Sequence, residues 1–245
     1  MKIQYYTITT NNFYQYTLLM IKSFIKFSHD KMYILTLDDI ENKIDHPNII
    51  HISCKHLFDQ HITDNPNIVK KPPLGISCCW MKSRCVNFPE LIDTDFLVYV
   101  DSDILFFENI SEYILNTTSN NGDSVFYAAN DGRIILDTPR INAGFYFTNL
   151  NKYPFIDLMN SWHNKMMELL PNRFALRKRN KILFKYFDQP ILNSLLLNTE
   201  YSNYKTLNPY IIGYRRYAKN RVLSHYIKTH KRRMASDYRR FIDPS

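Results

Sequence analysis

Apolar runs alternate with amphipathic segments along the chain, and this pattern predicts an α/β fold. Ile3 to Thr9 is rich in β-branched and aromatic residues and is predicted to be the first strand, and Met32 to Leu37 the second. Phe96 to Val100 is a continuous apolar run, which predicts a strand buried on both faces. Phe13 to Phe27 repeats apolar residues at spacings of three and four, which predicts a helix. The first strand and this helix form a strand–loop–helix unit, which is typical of parallel sheets.

The later pattern predicts more elements of both kinds. Helices are predicted at Ser77 to Phe88, which Pro89 ends, and at Phe155 to Leu170. A polar, irregular stretch from His56 to Ile76 contains three prolines and predicts a long loop. The shorter predicted elements are a helical turn at Glu112 to Leu115 and strands at Ile49 to Ile52, Ser124 to Ala129, Ile141 to Thr148, Tyr210 to Tyr214 and Arg221 to Tyr226.

Two carboxylates one residue apart, Asp101 and Asp103, follow directly after the predicted strand that ends at Val100. Ligands of open α/β sheets bind at the carboxyl ends of strands, and paired carboxylates at that place suit Mg²⁺ or Mn²⁺. Such a metal could hold a diphosphate. Asp and Ser are also ordinary turn formers, so the triplet alone fits both a metal site and a tight turn.

Other polar residues also follow predicted strands. Thr10, Asn11 and Tyr14 offer hydrogen-bonding groups after the first strand, although a helix cap and a packed aromatic ring explain them as well. Asp38 and Asp39 fit a turn better than they fit contacts with a ribose or a base. The end of the first strand is therefore a candidate ligand-binding site, although helix capping and aromatic packing explain the same residues.

Three later positions carry candidate chemistry. Asn142, Ala143 and Gly144 open a predicted strand with small residues that let a ligand or a neighbouring backbone approach closely. Asp188 precedes a proline and suits a helix start. His225 could complete a metal site made by two carboxylates, while a lone histidine is more often structural.

Composition narrows the class of protein. Of the 245 residues, 45% are hydrophobic and 15% are aromatic, which predicts a globular protein, and we expect one domain over residues 1–245. The 5 glycines form neither a G-x-G-x-x-G nor a P-loop motif, so dinucleotide-binding and P-loop folds lose their main support. The 4 cysteines lack zinc-pair spacing and are expected to be reduced. With no signal peptide and no long apolar run, we expect a soluble, cytoplasmic protein.

The net charge of +8 arises largely from two basic runs, Arg173 to Lys185 and Lys228 to Arg240. Such runs attract phosphates, nucleic acid or an anionic membrane face, or they are simply solvated surface. A basic C-terminal segment, about 228–245, would allow peripheral membrane contact.

Several of these motifs, taken in order, resemble glycosyltransferase family 8, the glycogenin-like family. The resemblance runs from Ile3 to about Lys231 and is carried by Tyr6-Thr7-Ile8-Thr9-Thr10-Asn11-Asn12-Phe13-Tyr14, Val98-Tyr99-Val100-Asp101-Ser102-Asp103, Asn142-Ala143-Gly144-Phe145, Asp188-Gln189-Pro190-Ile191-Leu192-Asn193 and His225. One departure lies after His225, where the family has a glycine three residues later and then Lys-Pro-Trp. This chain has Lys228 and Lys231-Arg232-Arg233 at those places.

The resemblance implies a GT-A fold, in which helices flank a twisted, mixed and mostly parallel sheet with a Rossmann-like nucleotide-binding half. It implies Mn²⁺ or Mg²⁺ as the cofactor and catalytic roles for Asp188 and Gln189, with Gln189 beside the anomeric carbon. The implied metal ligands are Asp101, Asp103 and His225; the implied nucleotide contacts are Ile8, Thr10, Asn11, Tyr14, Lys82, Ser102 and Lys231; the implied donor-sugar contacts are Asn142, Ala143 and Asp188.

The function implied is transfer of a sugar from a nucleotide-sugar donor, a UDP-sugar, to a hydroxyl group of a glycan, a protein or a small molecule, with retention at the anomeric carbon. An inverting transferase is an alternative, with Asp131 or Asp188 as the base. A sugar-phosphate nucleotidyltransferase shares the broad fold but needs a glycine-rich loop after the first strand. A nucleic-acid-binding module could use the basic C-terminus, but no binding motif is present and no nucleic-acid partner is expected.

Overall fold

The computed structural model describes residues 1–57, 59, 74–120, 125–135, 138–169, 188–198, 200–207, 212–214, 222–226 and 231–244. Within these residues, seven strands form one mixed sheet in the order β3-β2-β1-β4-β7-β6-β8. Neighbouring strands are parallel except at the two pairs that involve β7. The strands are β1 (Ile3–Thr9), β2 (Lys31–Thr36), β3 (Ile49–Ser53), β4 (Phe96–Val100), β6 (Phe126–Ile135), β7 (Thr138–Asn149) and β8 (Tyr204–Thr206).

A second, smaller sheet lies beyond the end of β4. It contains β5 (Ile104–Phe106), β10 (Leu223–His225) and β9 (Ile212–Tyr214), in that order across the sheet. The central strand β10 runs antiparallel to β5 and parallel to β9. Because β5 begins only a few residues after β4 ends, the small sheet brings a late part of the chain to the carboxyl end of the large one.

The helices lie mainly between the strands in sequence. They are α1 (Asn11–Phe27), α2 (Leu74–Met81), α3 (Pro89–Ile92), α4 (Ile110–Asn120), α5 (Phe155–Leu169), α6 (Asp188–Asn198) and α7 (Lys231–Phe241), and a 3₁₀ helix covers Lys82–Asn87. None of the helices in the described ranges has the length and apolar character needed to cross a membrane.

Two apolar clusters cover the two faces of the large sheet. Every residue of β1 and β4 is buried, and their side chains alternate between the clusters. Tyr6 joins the cluster that contains Trp162 of α5, whereas Tyr5 joins the cluster that contains Phe24 of α1. The prediction that Phe96 to Val100 is a strand buried on both faces is therefore confirmed.

Most predicted elements occur within a few residues of their predicted bounds. The helix predicted at Ser77 to Phe88 is instead the end of α2 followed by the 3₁₀ helix, and the turn predicted at Glu112 to Leu115 is the longer α4. The predicted loop from His56 to Ile76 lies largely outside the described residues, but its end already belongs to α2. No element was predicted for α7.

Candidate metal and donor site

The turn between β4 and β5 presents both acids of the Asp-x-Asp motif at the carboxyl end of a central strand. The amide of Asp101 donates to the carbonyl of Gly144 at 2.7 Å, which ties this turn to β7. In the small sheet His225 pairs with Ile104, the residue directly after Asp103. The sheet register therefore places the imidazole beside the carboxylates.

Three potential metal ligands converge at this turn. His225 Nε2 lies 3.0 Å from Asp103 Oδ1 and 3.5 Å from Asp101 Oδ2. One ligand atom from each residue can be chosen so that all three lie within 4.8 Å of one another. His225 and Asp103 are buried, and Asp101 is half-buried. Two carboxylates and an imidazole form a ligand set suited to Mn²⁺ or Mg²⁺.

The backbone around the triad fits the same interpretation. A Cβ atom at Gly144 would lie 2.6 Å from Asp101 Oδ2, 2.6 Å from His225 Cε1 and 2.8 Å from Asn142 Oδ1. Contacts below 3.0 Å are essentially never found for real Cβ atoms. Only glycine leaves room for both ligands to converge over this part of β7.

Electrostatics favour the charged forms of Asp103 and His225. Burial acts to raise the pKa of Asp103, but His225 and Lys231 outweigh it and lower that pKa to about 2. Burial acts to lower the pKa of His225, but Asp103 and Asp101 raise it above its ordinary value. An imidazole binds a metal in its neutral form, so any proton held on His225 would compete with the metal.

Lys82 links the metal site to the first residue of α6. Its Nζ lies 2.7 Å from Asp188 Oδ2, 3.1 Å from Asp101 Oδ1 and 3.1 Å from the carbonyl oxygen of Ala143. Lysine is rarely buried in proteins, yet Lys82 is only 6% exposed. Burial lowers the pKa of Lys82, but Asp101 and Asp188 overcome this effect and raise it well above its ordinary value. An ammonium has three donors, and these oxygens can engage all of them.

The residues implied for the donor sugar surround this lysine. Asp188 and Gln189 begin α6 and are buried, and Asn142 Oδ1 accepts from the amide of Gly144 at 2.8 Å. Ala143 is buried in β7 and contacts Lys82 through its carbonyl oxygen. The structure therefore brings the implied metal ligands and donor-sugar residues to one place.

Two residues to which the sequence analysis assigned no role support this part of the site. Trp162 of α5 donates from Nε1 to the carbonyl of Asp188 at 3.1 Å. Asn193 of α6 donates to the carbonyls of Ile141 and Gln189, and its Oδ1 accepts from the amide of Ile141. These bonds fix the start of α6 against α5 and β7. Asn193 lies four residues, about one helical turn, after Gln189, whose carbonyl it bonds.

Four implied nucleotide contacts lie at the end of β1 or just after it, and β1 is the parallel neighbour of β4. Ile8 is buried in the core, and Thr10 is buried with a hydroxyl that has no hydrogen-bond partner among the described residues. Asn11 is exposed, and the hydroxyl of Tyr14 accepts from the amide of Ile44 at 3.0 Å. Of this set, Asn11 alone is exposed at the surface.

The remaining candidates lie on either side of the acids. Asp38 accepts a hydrogen bond from the amide of Asn11 at 2.8 Å, which agrees with the structural interpretation of that acid. Ser102 is half-buried between the two carboxylate ligands. Lys231 begins α7, and its Nζ lies 2.7 Å from Asp103 Oδ2 and 4.5 Å from the ring centroid of Phe13. Lys228 and the basic run from Arg173 to Lys185 lie outside the described residues.

The sequence matches no family model and no curated protein sequence. Comparison of structures does find relatives of the fold. A galactosyltransferase, LgtC, solved with donor and acceptor sugar analogues, is similar over 98% of this chain and 96% of its own, with a TM-score of 0.59 and 16% identity. Mouse xyloside xylosyltransferase 1 is similar over 92% of this chain and 97% of its own, with a TM-score of 0.56 and 11% identity.

The glycosyltransferase GlyE of Streptococcus pneumoniae is similar over 94% of this chain and 55% of its own, with a TM-score of 0.54 and 16% identity. These neighbours confirm the predicted GT-A fold, a mixed and mostly parallel sheet between helices. At such identities they show the fold alone. Membership of glycosyltransferase family 8 stays a prediction.

Proposed function

We propose that this protein is a divalent-metal-dependent glycosyltransferase that moves a sugar from a nucleotide-sugar donor, a UDP-sugar, to a hydroxyl acceptor. The observation that carries the proposal is the convergence of Asp101, Asp103 and His225 at the carboxyl end of a central strand in a GT-A fold. We further propose that the chain acts as one domain and works in the cytoplasm.

The metal ligands proposed are Asp101, Asp103 and His225. A bound Mn²⁺ or Mg²⁺ would act as a Lewis acid that neutralises the charge of the leaving diphosphate. The ammonium of Lys231 forms an ion pair with Asp103, so it can extend the positive charge of the site towards a phosphate group. Asn11, Tyr14, Ser102 and the backbone of Ile8 and Thr10 are the proposed nucleotide contacts.

Lys82 is better suited to holding the site together than to binding a phosphate directly. The ammonium is already within 3.1 Å of Asp101, Asp188 and the Ala143 carbonyl. Its proposed contribution to the nucleotide is therefore indirect, because it keeps two carboxylates close together that would otherwise repel each other. Asn142, Ala143, Asp188 and Gln189 remain the proposed residues around the donor sugar.

The retaining reaction is favoured over the inverting one by the surroundings of the candidate bases. Asp188 Oδ2 pairs with Lys82 at 2.7 Å, and Asp131 Oδ2 lies 3.6 Å from Arg140 Nε. An inverting enzyme needs a carboxylate that can take a proton from the acceptor hydroxyl, and both candidates already face a buried cation. A nucleotidyltransferase is disfavoured because α1 begins almost directly after β1, with no glycine-rich loop between them.

A panel of nucleotide sugars tests the proposal. The protein is incubated with each UDP- or GDP-sugar and Mn²⁺ in the absence of acceptor, and release of the nucleoside diphosphate is measured. We expect hydrolysis of at least one UDP-sugar, abolished by EDTA and restored by Mn²⁺.

Two variants make this test specific. Asp103→Asn should lower the rate by about 100-fold or more, equivalent to ~2.7 kcal/mol of transition-state stabilisation. Asp157→Asn replaces an exposed acid on α5 and should leave the rate unchanged. Metal-independent hydrolysis, or equal rates in both folded variants, would contradict the proposed function.

A further inference from the structure

The two oxygens of Asp101 have different surroundings. Oδ1 accepts a hydrogen bond from the hydroxyl of Tyr99 at 2.6 Å and lies 3.1 Å from Lys82 Nζ. Oδ2 faces His225 Nε2 at 3.5 Å and borders the space above Gly144. One oxygen is thus held by the protein, and the other points towards the remaining metal ligands.

The ring of Tyr99 is itself fixed in place. Tyr99 lies in β4 two residues before Asp101, is 2% exposed, and stacks on Tyr146 with ring centroids 5.0 Å apart. Tyr6 packs edge-on against the same ring at 5.0 Å. Because the ring cannot turn freely in this cluster, its hydroxyl is a pre-organised donor aimed at one carboxylate oxygen.

Lys82 alone is a weaker constraint on Asp101. Its ammonium lies nearer to Asp188, at 2.7 Å, than to Asp101, at 3.1 Å, and it also donates to the carbonyl of Ala143. Without the tyrosine hydroxyl, Oδ1 would keep only this shared ion pair among its contacts with the described residues. The carboxylate could then rotate about its Cβ–Cγ bond and carry Oδ2 away from the other ligands.

We propose that Tyr99 is a positioning residue for the metal site, which fixes the rotamer of Asp101 and keeps Oδ2 directed at the ion. The inference rests on the proposed function, because it requires that Asp101, Asp103 and His225 bind a divalent cation. Hydrogen bonds to metal ligands from outside the ligand set contribute about 10- to 100-fold to metal affinity in other proteins.

The chain offers a matched control for this role. Tyr146 is buried in the same stack, and its hydroxyl pairs with the hydroxyl of Tyr6 at 2.6 Å instead of with a metal ligand. Tyr99→Phe and Tyr146→Phe therefore make the same chemical change in the same cluster. They differ in whether the lost hydroxyl held Asp101.

The measurement is the Mn²⁺ dissociation constant of the purified proteins, obtained from the electron paramagnetic resonance signal of free Mn²⁺, with thermal unfolding of the metal-free proteins recorded alongside. We expect Tyr99→Phe to weaken Mn²⁺ binding about 10- to 100-fold and Tyr146→Phe to change it by less than about twofold. Equal changes in the two variants would mean a general packing effect and would overturn the inference. An unchanged Mn²⁺ affinity in folded Tyr99→Phe would overturn it as well.

A second comparison separates this role from others. In an Asp101→Ala background, Tyr99→Phe should cause no further loss of Mn²⁺ affinity, because its effect passes through the missing carboxylate. A further loss as large as in the wild-type background would refute the positioning role. If the wild-type protein binds no Mn²⁺, the proposed function fails together with the inference, whereas failure of Tyr99→Phe alone leaves the proposed function standing.

Discussion

A methyl group added at residue 144 should disable the metal site, although residue 144 is not itself a metal ligand. In Gly144→Ala the new Cβ would lie 2.6 Å from Asp101 Oδ2 and from His225 Cε1, where ordinary contact begins at 3.4 Å. Each ligand would have to retreat by about 0.8 Å, several times the roughly 0.2 Å tolerance of metal–ligand distances. The backbone cannot yield instead, because the Gly144 carbonyl accepts from the amide of Asp101 at 2.7 Å.

Two quantities follow from this geometry. We expect Gly144→Ala to weaken Mn²⁺ binding by about 100-fold, since it moves two of three ligands, and to lower the free energy of unfolding by about 1 to 3 kcal/mol, as overpacked cores do. Calorimetric titration with Mn²⁺ and urea unfolding measure the two effects separately. Phe145→Leu is the control, because Phe145 is the next residue of β7 and its side chain packs in the apolar cluster that contains Phe24. Mn²⁺ binding by Gly144→Ala within about twofold of wild type would refute the argument from close approach.

Two further variants test single contacts. Lys231→Ala should weaken UDP binding in the presence of Mn²⁺ by about 10-fold or more, since a hydrogen bond to a charged group contributes about 1.5 to 3 kcal/mol. Arg239→Ala, on the exposed side of α7, should have little effect. Calorimetry at two salt concentrations tests this difference, because a diffuse basic field would make both variants bind UDP equally more weakly. Asp38→Ala should lower the free energy of unfolding by about 1 kcal/mol in urea titrations, because it removes the acceptor at the first amide of α1. Asp39→Ala is its neighbouring control, with an exposed side chain, and a loss as large as that of Asp38→Ala would contradict the capping role.

Local signals in the sequence predicted the sheet well. β1 occurs with its predicted bounds, Ile3–Thr9, because each of its residues is buried and its composition is that of a strand covered on both faces. The acids after β4 were found for the same reason. The apolar run that precedes a strand end predicts where that strand ends. The fold then determines which strand ends lie side by side.

The supporting contacts of the site could not be predicted in this way. Lys82 looks like a surface residue in sequence, because the three oxygens that accompany it into the interior come from distant parts of the chain. The role of the Tyr99 hydroxyl could not be predicted either, since a phenylalanine at this position would give the same apolar pattern. Helix α7 was missed because five of its eleven residues are basic, and its order depends on Met234 and Ile242 being buried by tertiary packing.

Three helices begin at this one edge of the sheet. α1 starts at Asn11 beside Asp38, α6 starts at Asp188 beside Lys82, and α7 starts at Lys231 beside Asp103. The amides in the first turn of a helix have no acceptor within the helix, and its aligned peptide dipoles amount to about half a positive charge. The backbone therefore contributes a positive potential that adds to the lysines and favours the acids gathered here. Because this contribution does not depend on any side chain, replacing one lysine should remove only part of the positive potential at this edge.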